Sequence, residues 1–359
     1  MLYLDWAAAA PPEPKILEYA RTLWQENFAN QESGHALGFE LRQRIAEAET
    51  SLSQTFWGRP GGRAVWGASC TELFQLLAAS PLVRGRRAVS SVLEHPALSA
   101  ALGREAKELV TLRCDRRGQL VPEPTEKVSL AAFHQVQSEL GAVQDLPRLF
   151  AAYPGAVRFV DAAQGAGKLK LPECDLAAVS GAKLGVPGGG AALLVNPEWK
   201  GAAEFAAFAA AYRKQEHRLS RVHPAVIMLL AFAAEQKERG REAAFRRMQN
   251  FNAELRARLA GTKLRPTLPA EVASPFILHL TAPGMQGAVL VRMLSELGVI
   301  TSSGSACAAE SPDPSPALLA LGYRRLDAYS GLRLSFGGEP ASGTSDFLLA
   351  ALEKVLQNY

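Results

Sequence analysis

A lysine set just past an apolar strand is where this chain first offers chemistry. Ser180-Gly181-Ala182-Lys183 follows the run Leu176–Val179 and leads into a glycine-rich turn that ends at Gly190. An amine at a strand end beside such a turn suits close approach to a flat ligand. Asp161-Ala162-Ala163-Gln164 follows the run Val157–Val160 in the same way. After Arg63–Trp66 comes Gly67-Ala68-Ser69-Cys70-Thr71-Glu72, small and hydroxyl residues that open a helix. A turn of that kind presents unpaired N–H groups and the positive end of a helix dipole, which is a seat for phosphate. His95 lies between the phosphate seat and the acid. Each signal alone is weak, but together their order meets the needs of pyridoxal phosphate. Its aldehyde takes a lysine, its ring nitrogen a carboxylate, its phosphate a helix N-terminus, and an imidazole can stack on the ring and move protons.

Two nucleotide readings fail on spacing. Gly165-Ala166-Gly167-Lys168 is followed by Leu169 and lacks the full P-loop pattern. The glycines at 188–190 precede a strand where a dinucleotide fingerprint would open a helix.

The positions named above must be held by strands whose carboxyl ends share one side of a sheet. Short apolar runs at Arg63–Trp66, Arg87–Ser90, Leu109–Leu112, Leu130–Phe133, Val157–Val160, Leu176–Val179 and Ala191–Val195 read as strands buried on both faces. Helical stretches fall between the earlier ones, at Thr71–Ala79 and Pro96–Glu105, and Leu41, Ile45, Ala48, Leu52 and Phe56 mark one face of another. The expected fold is α/β, a large domain with a mostly parallel sheet. After about residue 197 the pattern changes to long helices, with later strands at Pro275–Leu280 and Leu332–Ser335, helices at Gly287–Leu297 and Ser345–Leu356, and a smaller α+β domain. The expected division is 11–239 for the large domain, with 1–10 and 240–359 forming the small one.

At 359 residues the chain suits about two domains and can bury a sizeable core. Hydrophobic residues at 48% and charged ones at 21% exclude disorder and fibrous repeats. The net charge of +4 is thin and scattered, which argues against nucleic acid as a ligand. Four cysteines without CxxC or metal-ligand spacing point to reduced thiols and to no bound metal. The N-terminus meets Asp5 at once and does not read as a signal peptide, and the run Val226–Ala234 is too short for a bilayer, which needs ~20 residues. A soluble, cytoplasmic protein without membrane contact is expected.

The chain resembles the cysteine desulfurases, pyridoxal-phosphate enzymes of fold-type I and class-V aminotransferase kind. Tyr3-Leu4-Asp5-Trp6-Ala7-Ala8 is similar to their YLDNAA segment, and Asn30 to Gly38 to NPSSxHxxG. Ser69-Cys70-Thr71-Glu72 resembles the GATE phosphate turn, and Glu94-His95 the ring-stacking motif. Glu139-Leu140-Gly141 to Gln144 resembles NNETGxxQ, Asp161 to Gln164 the ring-binding strand end, and Ser180 to Lys183 the SxHK motif. Ser303-Gly304-Ser305-Ala306-Cys307 matches the SGSAC loop, and Gly331 to Ser335 resembles SIRxSxG. The departures are Trp6 for Asn, Ser138 for the ring-contacting Asn, Ala182 for His, and no clean match to RSGTEN. Arg218, Ser220 and Arg221 are candidates to replace the cross-subunit threonine of that last motif.

The resemblance implies pyridoxal 5'-phosphate held by a Schiff base at Lys183, Asp161 at the ring nitrogen, Gln164 and Ser138 at the ring oxygen, His95 on the ring, and Cys70, Thr71 and Ser180 at the phosphate. It implies L-cysteine as substrate, its carboxylate gripped by Arg333, with Lys183 or His95 taking the Cα proton. Cys307 would attack the substrate sulfur, keep it as a persulfide and release L-alanine. It also implies a homodimer and a sulfur-acceptor protein, an iron–sulfur scaffold or a tRNA-thiolation protein. The Ser, Gly, Pro and acidic residues around Cys307 suit an exposed loop without a nearby base, so its activation falls to the cofactor pocket. Two rivals stand beside this reading. One is another enzyme of the fold, a selenocysteine lyase or an aminotransferase; the other is a catalytically impaired relative acting as a sulfur-relay or binding protein. His134, His217, His223 and His279 receive no role from their spacing.

Overall fold

The computed structural model describes residues 1–125, 127–216, 219–304, 313–338 and 340–359, the side chains at 215 and 216 aside. Its strands are β1 (Leu2–Tyr3), β2 (Arg63–Gly67), β3 (Arg87–Ser91), β4 (Glu108–Leu112), β5 (Leu130–His134), β6 (Val157–Asp161), β7 (Leu176–Ser180), β8 (Ala191–Val195), β9 (Arg265–Pro266), β10 (Ile277–Thr281), β11 (Val299–Ile300) and β12 (Gly331–Ser335). Seven of them form one sheet in the order β2-β8-β7-β6-β5-β3-β4. Only β8 runs antiparallel to its neighbours. The mostly parallel α/β sheet expected from the apolar runs is therefore present.

Alternation along the strands divides the core in two. Val65, Ala88, Leu130, Ala132, Phe159, Leu176 and Ala178 pack under the helices Cys70–Ala79, Pro96–Glu105 and Ala202–Glu216. Trp66, Val89, Ala131, Phe133, Val160, Ala177 and Val179 pack on the other face, under the helices Ala36–Trp57 and Pro224–Leu259. Both faces are covered, which is why these strands carry no polar alternation.

A second core gathers Leu278 and Leu280 of β10, Leu332 and Leu334 of β12, and the helices Gly287–Glu296 and Thr344–Asn358. Leu4 enters it from the N-terminus, where β1 pairs in parallel with β11. The division expected at 239/240 falls inside the unbroken helix Pro224–Leu259. Ala225–Ala234 of that helix serve the large core, and Met248, Phe251, Leu255 and Leu259 serve the second. Trp6, one of the departures, lies flat on the backbone of Gly337, where any Cβ would come within 2.1 Å of the indole. No helix of the described residues is long and apolar enough to cross a membrane.

Candidate active site

The carboxyl ends of β2, β3, β5, β6 and β7 open onto one cavity of about 200 Å³. Cys70, Thr71, His95, Ser138, Asp161, Gln164, Ser180, Lys183 and Arg333 all line it. The residues that follow β2, β3, β5, β6 and β7 meet because parallel strands deliver their following turns to one side, and Arg333 joins them from β12 of a separate sheet. Cys307 and Arg218 lie outside the described residues.

At one end is the helix Cys70–Ala79, capped by Ser69, whose hydroxyl accepts the Glu72 N–H at 3.4 Å. Glu72 returns a bond from its carboxylate to the Ala68 N–H at 2.8 Å, which secures the turn. First-turn amides of a helix have no partner within it, so this turn is a donor set for an anion. Ser180 stands beside it and hydrogen-bonds the Cys70 thiol, whose pKa burial and Asp161 push up. Cys70 is thus a neutral thiol on the cavity wall. Ser220 is held by Glu72 through its N–H and hydroxyl, and Arg221 pairs with Glu32 at 2.9 Å, so neither lines the cavity.

Asp161 ends β6, with Oδ1 accepting the Ala163 N–H at 3.0 Å. Burial raises its pKa to about 6, Glu94 adding to the shift and His134 and Lys183 opposing it. Because the folded-state value lies above the unfolded one, the protonated form favours the fold. That contribution is complete below the unfolded pKa near 4 and is lost as pH rises through about 6. Asp161→Asn should therefore stabilise the cofactor-free protein at pH 7.5 by on the order of 3 kcal/mol, and by well under about 1 kcal/mol at pH 4. Urea unfolding at the two pH values checks this; equal stability at pH 7.5 would show that the ionised carboxylate carries no burial penalty.

Lys183 follows β7 on the short helix Gly181–Leu184. Its ammonium donates to the Ala8 carbonyl, and Ala10 N–H bonds Ala182 O at 2.9 Å, so the N-terminal segment lies across it. Gly181 passes so close to Gly189 that a Cβ would meet its carbonyl oxygen at 2.0 Å. His95 caps the helix Pro96–Glu105, with Nδ1 accepting the Ala97 N–H at 3.2 Å. Burial and then Lys183 lower its pKa, against Glu94. The neutral ring therefore carries its proton on Nε2.

Arg333, 1% exposed, comes from β12. It pairs with Asp5 at 2.7 Å, donates to Ser138 O at 2.9 Å, and keeps a buried Nε without a partner among the described residues. Both described flanks of the Cys307 segment meet Glu139: Ser315 donates to its carboxylate, and Gly304 lies against it. Burial raises the pKa of Glu139, with Ser315 and Arg333 opposing.

Several residues of the site received no role from the sequence. His134 lines the cavity at the end of β5, and its Nδ1 lies 2.7 Å from Glu94, which Ser91 also bonds. Gln144 accepts the Leu120 N–H at Oε1, so its Nε2 is the atom that donates to His134 Nε2 at 3.2 Å. That orientation leaves Nδ1 of His134 as the donor to Glu94. The strand-end rule that selected Asp161 and Ser180 would have selected His134. His279, beside Arg333, is pushed down to about 3 by burial and then by that cation, and stays neutral. Asp5 is the partner of Arg333, and only the pairing of distant segments reveals it.

A family model described as "Aminotransferase class-V" matches residues 2–340. The chain belongs to the class-V aminotransferase family. It is similar to the cysteine desulfurase IscS of Ectopseudomonas mendocina, 26% identical over 380 residues that span 99% of this chain and 92% of that protein. IscS of Azotobacter vinelandii is 27% identical over 361 residues, spanning 94% of this chain and 88% of that one. In structure the chain resembles a NifS-like protein from Rickettsia africae, with a TM-score of 0.84 at 17% identity over 99% of each chain. That likeness shows the fold.

The cavity fits the pyridoxal phosphate that class-V enzymes use. It offers a helix N-terminus with hydroxyls for a phosphate, a buried carboxylate for a ring N–H, and the Lys183 amine on the same wall.

Proposed function

We propose that this class-V family member is a pyridoxal-phosphate-dependent cysteine desulfurase. It moves sulfur from L-cysteine to Cys307 and releases L-alanine. The observation that carries the reading is the meeting of Lys183, Asp161, His95, Ser180, Thr71 and Arg333 on one cavity. Similarity to IscS proteins along nearly the whole chain and the SGSAC sequence at 303–307 direct it to cysteine. Bound pyridoxal phosphate would supply an electrophilic aldehyde and a ring that accepts electrons.

The residues then divide the work. Thr71, Ser180 and the amides around Cys70 would hold the phosphate, and Asp161 would take the ring N–H, a contact that favours the ionised carboxylate. Gln164 and Ser138 serve the ring oxygen. Arg333 orients the substrate carboxylate with the terminal guanidinium N–H donors that Asp5 and Ser138 leave over. Lys183 would bond the cofactor's aldehyde, and its amine, when free, would be the base for the Cα proton. His95 is suited to the opposite task, since Nδ1 is engaged by Ala97 and Nε2 already carries a proton. It donates. Cys307 attacks the substrate sulfur, the C–S electron pair stays on carbon, and that carbon takes a proton to become the methyl group of alanine.

A second copy of the chain fits the apolar and exposed side chains of Phe28, Leu37 and Phe39, in keeping with a homodimer. The persulfide would pass to an acceptor protein in a reducing cytoplasm. The test is incubation of the cofactor-loaded protein with L-cysteine and a mild thiol reductant. Alanine and sulfide should appear in equal amounts. A keto acid in place of alanine would make the protein an aminotransferase and end the desulfurase reading.

A further inference from the structure

Serving the cofactor's ring oxygen requires Gln164 to turn an N–H toward the cavity, not its carbonyl. The two ends of a glutamine amide are almost equal in size, so the neighbours decide its direction. Here they are of opposite kinds. The Ala7 carbonyl can only accept, and it takes a proton from Gln164 Nε2 at 2.8 Å. Lys168 Nζ reaches Gln164 Oε1 at 3.5 Å, and an ammonium can only donate. Nε2 therefore keeps one further N–H for the cavity that Gln164 lines.

We propose that Lys168 is a positioning residue that fixes the Gln164 amide so that it presents an N–H to the cofactor's ring oxygen. The inference rests on the cofactor reading given above. The chain is shaped to deliver this lysine. Lys168 N–H bonds Gly165 O at 2.9 Å, and a Cβ on Gly165 would overlap the Gln135 side chain. Gly167 has φ +69° and lies so close to the long helix that a Cβ would come within 2.5 Å of Lys237 Cβ. The Lys168 ammonium also sits 5.9 Å from the centre of the Phe276 ring, and Lys237 is occupied by Glu13. Burial, then Lys183, Lys237 and Arg333, lower the pKa of Lys168 to about 7, so its ammonium prevails below that pH.

Without Lys168 the amide loses one of the two contacts that set its direction, and only the Ala7 carbonyl still opposes the orientation that turns its oxygen toward the ring oxygen. A double-mutant cycle at pH 6.5 tests the idea through cofactor affinity. Pyridoxal phosphate is titrated into cofactor-free wild type, Lys168→Met, Gln164→Ala and the double variant, with visible absorbance as readout. Lys168→Met should weaken binding about tenfold in the wild-type background and not at all in the Gln164→Ala background. Lys168→Arg should recover most of the loss. Thermal unfolding of the cofactor-free proteins checks folding, and Lys168→Ala serves the same comparison should the methionine variant not fold. An equal loss in both backgrounds, or no loss in either, overturns the proposal while leaving the cofactor reading intact. Wild-type protein that takes up no pyridoxal phosphate overturns both.

Discussion

Lys183→Ala should lower alanine formation from L-cysteine by about 10³-fold or more and should let pyridoxal phosphate leave on dialysis. Two functions disappear with one amine. Lys183 is the group placed to bond the aldehyde, and it is the base left for the Cα proton once His95 Nδ1 is engaged by Ala97. A positioned base alone is worth roughly 10²–10⁴ in rate. Lys183→Arg should fare no better, because a guanidinium does not deprotonate to a nucleophile. The phosphate seat of this chain is the reason to expect cofactor loss. Ala182 offers no hydrogen-bonding side chain beside Lys183, and Ser220 and Arg221 are held by Glu72 and Glu32 away from the cavity. Dialysis followed by absorbance and phosphate analysis measures retention. A full complement of cofactor on the alanine variant would place most of the binding energy in the turn at Ser69–Thr71.

Cys307→Ser should leave pyridoxal phosphate binding unchanged and reduce sulfur transfer about a hundredfold or more, because the serine oxygen cannot hold a sulfane sulfur in a form thiols release. Intact-protein mass after one turnover in the absence of reductant should show one added sulfur on wild type and none on the variant. Cys70 provides the contrast. Its thiol lines the same cavity, yet burial and Asp161 raise its pKa, so it is not a thiolate at neutral pH. Cys70→Ser should therefore keep the added sulfur on Cys307. Full sulfide release by Cys307→Ser would remove that residue from the mechanism.

The site was legible from sequence where local rules apply. Asp161, Ser180 and the Ser69–Thr71 turn each follow an apolar run, and in a parallel sheet every such turn reaches the same side. The helix cap at Ser69 and the glycine turn after Lys183 also announce themselves locally, since hydroxyls and φ-permissive residues are needed there by the chain's own geometry. The apolar runs predicted β2 to β8 nearly to the residue, because most of these strands are buried along much of their length and so are written in apolar residues.

What only the tertiary structure decided are the pairings between distant segments and the proton positions they dictate. Asp5 and Arg333 are joined by a bond between opposite ends of the chain. Ala7 and Ala8 supply only backbone carbonyls, one to Gln164 and one to Lys183, and a carbonyl leaves no trace in residue type. The orientations of Gln144 and Gln164, and with them the tautomer of His134 and the direction of a cofactor contact, depend on whether the facing group donates or accepts. Sequence determined the kinds of groups and the strand ends that carry them, because those follow from periodicity and local backbone geometry. Which groups face each other, and so which protonation state each can hold, is a property of three-dimensional proximity and burial.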